Sequence, residues 1–141
     1  MLKDKYTLED LIELMRVLRS ENGCPWDREQ DHESLKKYLL EETYEVLEAI
    51  DLNDKDKLCE ELGDLLLQIV FHAQIEVEKD GFSMDDIITS ICKKIITRHT
   101  HVFGEDYIST AEGVENNWEL IKKKEKGMMT QTEVLKAVPK N

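Results

Sequence analysis

The segment from Leu58 to Phe71 most constrains the fold, because it is apolar around nearly its whole circumference when drawn as a helix. Its apolar residues are Leu58, Leu62, Leu65, Leu66, Leu67, Ile69, Val70 and Phe71. One narrow polar stripe interrupts them, formed by Glu61, Asp64, Gln68 and His72. A helix of this kind lies at the centre of a bundle or is covered by a partner chain.

The rest of the chain also favours helices, since only two prolines occur and aromatic residues make up 6% of the sequence. Helical periodicity and capping signals predict an all-α bundle of about five helices with a central antiparallel hairpin, and we expect it to be oligomeric. The predicted helices begin at Thr7, at Asp31 or Ser34, at Asp54, at Ser83 and at Ser109, and end before Ser20 and near Leu52, Lys79, Val102 and Lys126. Residues 20–31, between the first two helices, are interpreted as a loop.

The length of the chain sets its domain organisation. Its 141 residues correspond to about one domain. We place a single domain at residues 1–127. Residues 128–141 are weakly patterned and include Pro139, so we interpret them as a loosely held tail or an interdomain connector.

The formal net charge of −12 argues against binding to nucleic acid, because such a surface repels phosphate backbones. An anionic ligand would need cations at its site, and bound metal is their obvious source. The longest apolar stretch, Leu65 to Ile75, contains polar residues and is too short to span a membrane. Three cysteines without a CxxC pair indicate free thiols, so we expect a cytoplasmic protein.

Two pairs of carboxylates are placed symmetrically about the turn of the predicted hairpin. Glu45 lies eight residues before Asn53 and Glu61 eight after it, while Glu42 and Asp64 each lie eleven residues away. Since a helix rises about 1.5 Å per residue, the two pairs sit at the same height on antiparallel helices. Residues three apart share one face of a helix, so the four carboxylates converge if these faces meet.

A solvated acidic face is the plain alternative, because pairs at helical spacing arise by chance among 31 acidic residues. That reading fails on the central helix, where Asp64 stands among leucines and solvent is scarce. Unpaired buried carboxylates are costly, so a group of four requires cations. Carboxylate ligands suit Mg²⁺, with Mn²⁺ as a substitute, far better than Zn²⁺.

Cations also occur at inward positions of the last two helices. Lys94 and Arg98 fall on the apolar arc of the fourth helix. There they extend past the core, pair with the carboxylates or hold phosphate oxygens. On the fifth helix Trp118 and Lys122 are four residues apart. The sequence does not distinguish a core position for this tryptophan from a position in a binding site. Lys57, one turn before Glu61, is a weaker candidate for phosphate contact.

These residues resemble the MazG family of nucleoside triphosphate pyrophosphohydrolases. The family pattern of Glu-Glu-x-x-Glu, a spacer and Glu-x-x-Asp stands here as Glu41-Glu42-Thr43-Tyr44-Glu45 and Glu61-Leu62-Gly63-Asp64. The stretches Cys24-Pro25-Trp26-Asp27 and Arg98-His99-Thr100-His101-Val102-Phe103-Gly104 are also similar to the family's. The likeness extends from about Leu8 to Lys126.

The resemblance implies roles for individual residues. Metal ligands are expected at Glu42, Glu45, Glu61 and Asp64, and nucleotide contacts at Tyr38, Lys57, Lys94, Arg98, Trp118 and Lys122. It also implies a homodimer or a higher assembly, and a tail that in longer members leads to a second domain.

The predicted function is Mg²⁺-dependent hydrolysis of a nucleoside triphosphate to the monophosphate and pyrophosphate, with Glu41 or Glu45 taking the proton from water. The base is left open. One alternative is a phosphoribosyl-ATP pyrophosphohydrolase or a relative restricted to dUTP or dCTP. Another is a catalytically weak regulatory or interaction domain of a two-domain protein. A di-iron bundle ranks low, because its Glu-x-x-His motif occurs only at Glu29 and His32, on a loop edge.

Overall fold

The computed structural model describes residues 2–105 and 107–136, and over these ranges it consists of helices joined by short turns. The helices are α1 (Leu8–Leu18), α2 (Pro25–Glu29), α3 (His32–Asp51), α4 (Lys55–Glu78), α5 (Met84–Arg98), α6 (Thr100–Phe103) and α7 (Ala111–Lys136). Within the described residues, no helix combines the length and the apolar character needed to cross a bilayer. The chain divides into two compact units, the first ending at Ile87 and the second beginning at Ile88.

The centre of the first unit is the antiparallel hairpin of α3 and α4, which confirms the predicted hairpin. Its turn depends on Asn53, whose φ of 52° lies in the left-handed region that asparagine tolerates better than most residues. Asp54 then caps α4 by accepting a hydrogen bond from the Lys57 amide at 3.1 Å. The hairpin therefore reverses over a few residues, and residues equally distant from Asn53 face each other.

The core of the first unit lies where α1 and α3 pack on the C-terminal half of α4. Its fully buried members are Met15, Leu35, Val70, Phe71 and Ile75, with Leu8, Leu11, Ile12, Tyr38, Leu67 and Met84 packed around them. The N-terminal half of α4 is less covered, and Leu62 remains 48% exposed. The helix that is apolar on all sides is thus buried at one end and open at the other.

Arg19 joins three parts of the first unit. Its guanidinium pairs with both oxygens of Glu78 at the end of α4, each at 2.9 Å. It also donates to the carbonyl oxygens of Asp27 at 2.5 Å and Gln30 at 3.0 Å, and lies over the Phe71 ring. Because its side chain is only 8% exposed, these contacts fix the segment containing α2 against the bundle.

The second unit contains the rest of α5, together with α6 and α7. His99, with φ −114° and ψ 56°, separates α5 from α6. Asn117 on α7 donates to the Thr100 hydroxyl at 2.9 Å, and Arg98 pairs with Glu125 at 3.1 Å. The first half of α7, with Asn117, and its middle, with Glu125, are therefore attached to the α5–α6 junction through polar side chains.

Several predicted boundaries are wrong for identifiable reasons. The predicted loop at residues 20–31 contains α2, which starts with Pro25 at a first-turn position where proline is favoured. The fourth predicted helix is divided at His99. The fifth is capped by Thr110, not Ser109, and passes through Gly127 to Lys136. The predicted domain boundary at 127 stays a prediction, and residues 137–141 of the predicted tail lie outside the described residues.

We predict that Arg19→Met lowers the free energy of unfolding by about 2–4 kcal/mol, since it leaves the buried carbonyls and Glu78 without their charged donor. The matched control is Arg16→Met, which removes an exposed pair with Glu13 and costs less than about 0.5 kcal/mol. Urea unfolding of both variants measures the difference. Equal losses would show that Arg19 is no more than a surface residue.

Candidate metal and nucleotide sites

Three carboxylates meet across the α3–α4 hairpin. Glu42 on α3 and Glu61 and Asp64 on α4 each offer one oxygen, and these oxygens all lie within 4.8 Å of one another. All three residues are partly shielded from solvent. We call them the acidic cluster. Three of the four residues that the sequence nominated as metal ligands are therefore brought together.

The pKa values of this cluster reflect its crowding. Burial is the largest cause of the raised pKa of Glu42, followed by the negative charges of Asp64, Glu61, Glu45 and Glu41. Burial and the charges of Glu45 and Asp64 likewise raise the pKa of Glu61, while Lys57 opposes the shift. The protein thus holds negative charge where the charged forms are disfavoured, and a cation would relieve this cost.

Glu45, the fourth nominated ligand, is engaged elsewhere. Its carboxylate pairs with the Lys57 ammonium at 3.4 Å across the hairpin. Burial lowers the pKa of Lys57, but the hydrogen bond to Glu45 and the charges of Glu48, Glu45 and Glu61 outweigh it, so the net shift is upward. Glu41, the other nominated proton acceptor, is exposed and affects the cluster only through its charge.

The polar stripe of α4 continues beyond the cluster into a chain of hydrogen bonds that the sequence analysis did not assign. His32 at the start of α3 lies between two α4 side chains, with Nδ1 2.7 Å from His72 Nδ1 and Nε2 2.5 Å from Glu76 Oε2. The two rings are nearly parallel, at 8°. Their 5.0 Å centroid separation is the N–N distance plus about two ring radii, so they lie side by side rather than stacked.

One proton arrangement satisfies both contacts when the rings are neutral and Glu76 is ionised. His32 Nε2–H donates to Glu76, and His72 Nδ1–H donates to His32 Nδ1. Within the part of the chain that the structure describes, the other nitrogen, His72 Nε2, is then a buried acceptor without a partner, as is Gln68 Oε1 one turn earlier. Burial and the neighbouring His32 lower the pKa of His72, in keeping with a neutral ring. The three groups stand in line, which suits proton sharing better than metal binding.

In the second unit, four nominated nucleotide contacts line one cavity of about 220 Å³. Its walls are Ile91, Lys94, Ile95, Arg98, His99, Trp118 and Lys122, which we call the cationic pocket. His99 Nδ1 donates to the Ile95 carbonyl at 2.6 Å and so caps the end of α5, while its ring meets Trp118 edge-on at 5.1 Å. Trp118 Nε1 and Arg98 Nε are buried donors without a partner among the described residues.

The two remaining nominated contacts, Lys57 and Tyr38, lie in the first unit, where Lys57 pairs with Glu45. Tyr38 is near the core. Its ring packs edge-on against Trp26 at 5.6 Å and adjoins the core. The same two rings line a groove of about 480 Å³ on α2 and α3, together with polar residues that include Lys36 and Lys37. Trp26 therefore anchors its segment on the bundle, although it is 48% exposed.

Comparison with known proteins identifies the family. The model of the MazG nucleotide pyrophosphohydrolase domain matches residues 30–103, just over half of the chain. The chain belongs to the MazG family. The resemblance carried by the sequence motifs is thus confirmed, and the match includes the whole acidic cluster with Glu41, Glu45 and Lys57.

Family members of known name differ from this chain in length. The MazG nucleoside triphosphate pyrophosphohydrolase/pyrophosphatase of Thermotoga maritima is 52% identical over 120 residues, covering 84% of this chain and 45% of that protein. The nucleoside triphosphate pyrophosphohydrolase of Escherichia coli K12 is 43% identical over 135 residues, covering 95% and 51%. The chain thus spans about half the length of these relatives.

A solved structure supports the fold. The crystal structure of a MazG-related protein from Thermotoga maritima superimposes with a TM-score of 0.68 at 34% identity. The match covers 82% of this chain and 99% of that one. The all-helical architecture is therefore that of a MazG-related protein.

We predict that Glu42→Gln raises the melting temperature by a few degrees at pH 7 when divalent metal is chelated. A carboxyl whose pKa is raised by folding stabilises the fold only below its unfolded pKa, and this contribution is lost as pH rises through the folded pKa. The gain should therefore shrink toward pH 4. Glu41→Gln, at the exposed neighbouring position, is the control and should have little effect. An equal gain at both pH values would contradict the prediction.

Proposed function

We propose that this domain hydrolyses nucleoside triphosphates between the α and β phosphates, giving a nucleoside monophosphate and pyrophosphate. The observation that carries the proposal is the convergence of Glu42, Glu61 and Asp64 oxygens within 4.8 Å. The Thermotoga maritima and Escherichia coli relatives are named nucleoside triphosphate pyrophosphohydrolases, which supports the same reaction. The free cysteines Cys24, Cys59 and Cys92 support a cytoplasmic location.

The acidic cluster fits a magnesium ion. Its donors are carboxylate oxygens, which Mg²⁺ prefers, and Mn²⁺ is a suitable substitute. The raised pKa values of Glu42 and Glu61 support this assignment, because they result from burial and from like charges that a cation would neutralise. When bound, the ion supplies neutralisation of phosphate charge and a lower pKa for a coordinated water.

The chain's own residues supply the remaining functions. Glu45 is the better placed of the two nominated proton acceptors, since it stands beside the cluster whereas Glu41 is exposed. In the second unit, Lys94, Arg98 and Lys122 offer charge to phosphate oxygens, and Trp118 offers an aromatic wall. Arg98 forms an ion pair with the carboxylate of Glu125, and its guanidinium would bind a phosphate oxygen through the same kind of contact. In the first unit, Tyr38 and Lys57 are the proposed nucleotide contacts.

The alternatives differ in substrate or in activity. Restriction to phosphoribosyl-ATP, dUTP or dCTP would require donors and acceptors that read one base or sugar. A regulatory domain without activity would retain the cluster but release no pyrophosphate. Pyrophosphate release from a panel of nucleoside triphosphates with Mg²⁺ separates these cases.

We predict that reaction in ¹⁸O-labelled water places the label on the monophosphate, because water attacks the α phosphorus. Asp64→Asn should reduce kcat/KM at least about a hundredfold, since it removes an anionic ligand from the cluster. Mass spectrometry of the products locates the label, and a pyrophosphate assay follows the rate. Label in pyrophosphate would instead indicate attack on the β phosphorus, and orthophosphate as first product would make the protein an ordinary phosphatase.

We also propose that the active form is at least a homodimer. In the first unit, Leu40, Tyr44 and Leu47 on α3 are 57%, 62% and 49% exposed, at helical spacing. Leu62, Leu66 and Ile69 on α4 repeat that spacing with exposures of 48%, 38% and 38%. Apolar stripes of this kind on adjacent helices support burial against a second copy.

We predict that Leu66→Glu shifts the protein to monomer in sedimentation velocity, because it places charge within the apolar face. Leu120→Glu is the control, since Leu120 is 65% exposed on α7 and lies outside that face. Circular dichroism checks that both variants stay helical. A wild-type protein that sediments as a monomer and still hydrolyses nucleotide would refute the dimer.

A further inference from the structure

The pairing of Glu45 with Lys57 separates this carboxylate from the other three nominated ligands. Lys57 Nζ lies 3.4 Å from Glu45 Oε2, whereas Glu42, Glu61 and Asp64 converge without Glu45. The pair is partly shielded, with the lysine side chain 29% exposed and the glutamate side chain 45% exposed. One of the four acidic groups is thus already neutralised by the chain itself.

The position of Lys57 makes it a competitor of a metal ion. It lies one turn before Glu61 on α4 and reaches across the hairpin to α3, so its ammonium stands in the field of the acidic cluster. A cation at this point repels a divalent ion and cancels the charge of Glu45 that would attract it. Metal binding to the nucleotide-free protein is therefore weaker than four carboxylates alone would give.

A triphosphate changes this balance. Its oxygens carry more charge than a single carboxylate and form strong charge-assisted hydrogen bonds with an ammonium. Once Lys57 turns to a phosphate, Glu45 regains its full charge beside the cluster. Because binding free energies are linked, a ligand that releases Glu45 strengthens metal binding, and metal strengthens binding of that ligand to the same degree.

We propose that Lys57 is an internal counter-cation that withholds Glu45 from the metal site until a phosphate-bearing nucleotide takes its ammonium, so that metal and nucleotide bind with positive coupling. The inference rests on the proposed metal site. It adds that Lys57 neutralises Glu45 before the nucleotide binds and releases it when the nucleotide is bound. Lys57 acts here as a positioning residue, through Glu45.

The test measures metal binding rather than turnover. Mn²⁺ affinity of the whole chain is determined by electron paramagnetic resonance, and Mg²⁺ affinity by calorimetry, for wild type, Lys57→Met and Lys55→Met. Lys55 lies two residues earlier on α4, so its variant matches the change in net charge. Lys57→Met should bind Mn²⁺ about three- to tenfold more tightly than wild type, the range expected when an ion pair of roughly 1 kcal/mol is removed. Lys55→Met should change the affinity less than about twofold.

A double-mutant cycle shows whether Lys57 acts through Glu45. In a Glu45→Gln background, Lys57→Met should give little further tightening. A triphosphate with a methylene bridge between the α and β phosphorus atoms, which resists cleavage, gives the second readout. It should tighten Mn²⁺ binding to wild type and to Lys55→Met by a larger factor than to Lys57→Met, because the last protein has no ammonium to release.

The outcomes separate this inference from the proposed function. If wild type binds Mn²⁺ but Lys57→Met binds it no more tightly than Lys55→Met does, the inference is overturned and the metal site stands. If tightening persists in full without Glu45, Lys57 acts by general charge, which also overturns it. If wild type binds neither Mn²⁺ nor Mg²⁺, both the inference and the metal-dependent function fail.

Discussion

The antiparallel pairing of α3 and α4 about Asn53 is the constraint on which the rest of the first unit depends. It sets the height of every charged residue on the two helices, and so brings Glu42 opposite Glu61 and Asp64. The carboxylates repel one another and lose solvent at this point, so the cluster itself opposes folding. The compensating stability comes from the C-terminal half of α4, where Val70, Phe71 and Ile75 are almost wholly buried. The C-terminal half of α4 thus stabilises the fold, whereas its N-terminal half carries two of the carboxylates that destabilise it.

The sequence predicts best those features of the fold and of the candidate site that depend on residues close together in the chain. The hairpin and the convergence of three of the four nominated carboxylates follow from spacing, because helical rise and the position of Asn53 convert residue number into height along the helix. Thr7, Asp31 and Asp54 cap their helices as their residue types suggest. Thr110 and Ser109 have similar N-cap preferences, so the local sequence does not predict which of them caps α7. Gly127 does not end α7, which shows how weak a stop signal one glycine is.

Contacts between residues distant in sequence were less predictable. Nothing in the sequence joins Arg19 to Glu78, which lies fifty-nine residues further on, or His32 to His72, forty residues on. His72 and Glu76 share one helical face, and that spacing alone could have marked a polar pair on α4. The partner from α3 could not be found without the fold. The pairing of Glu45 with Lys57 was also not predictable. Spacing places both residues near the turn, but it does not show whether Glu45 binds a metal ion or forms an ion pair with Lys57.

The symmetric placement of the carboxylates about Asn53 has a consequence for how this family can vary. Loops on protein surfaces usually accept insertions and deletions easily. Here one residue added within α3 or α4 between Glu45 and Glu61 would shift one carboxylate pair relative to the other by about 1.5 Å along the helix axis. It would also rotate that pair by about 100° about the axis. The cluster would then be dispersed, although most of the positions between Glu45 and Glu61 are exposed. Many exposed side chains of this segment can therefore change while the cluster stays assembled, whereas its number of residues cannot.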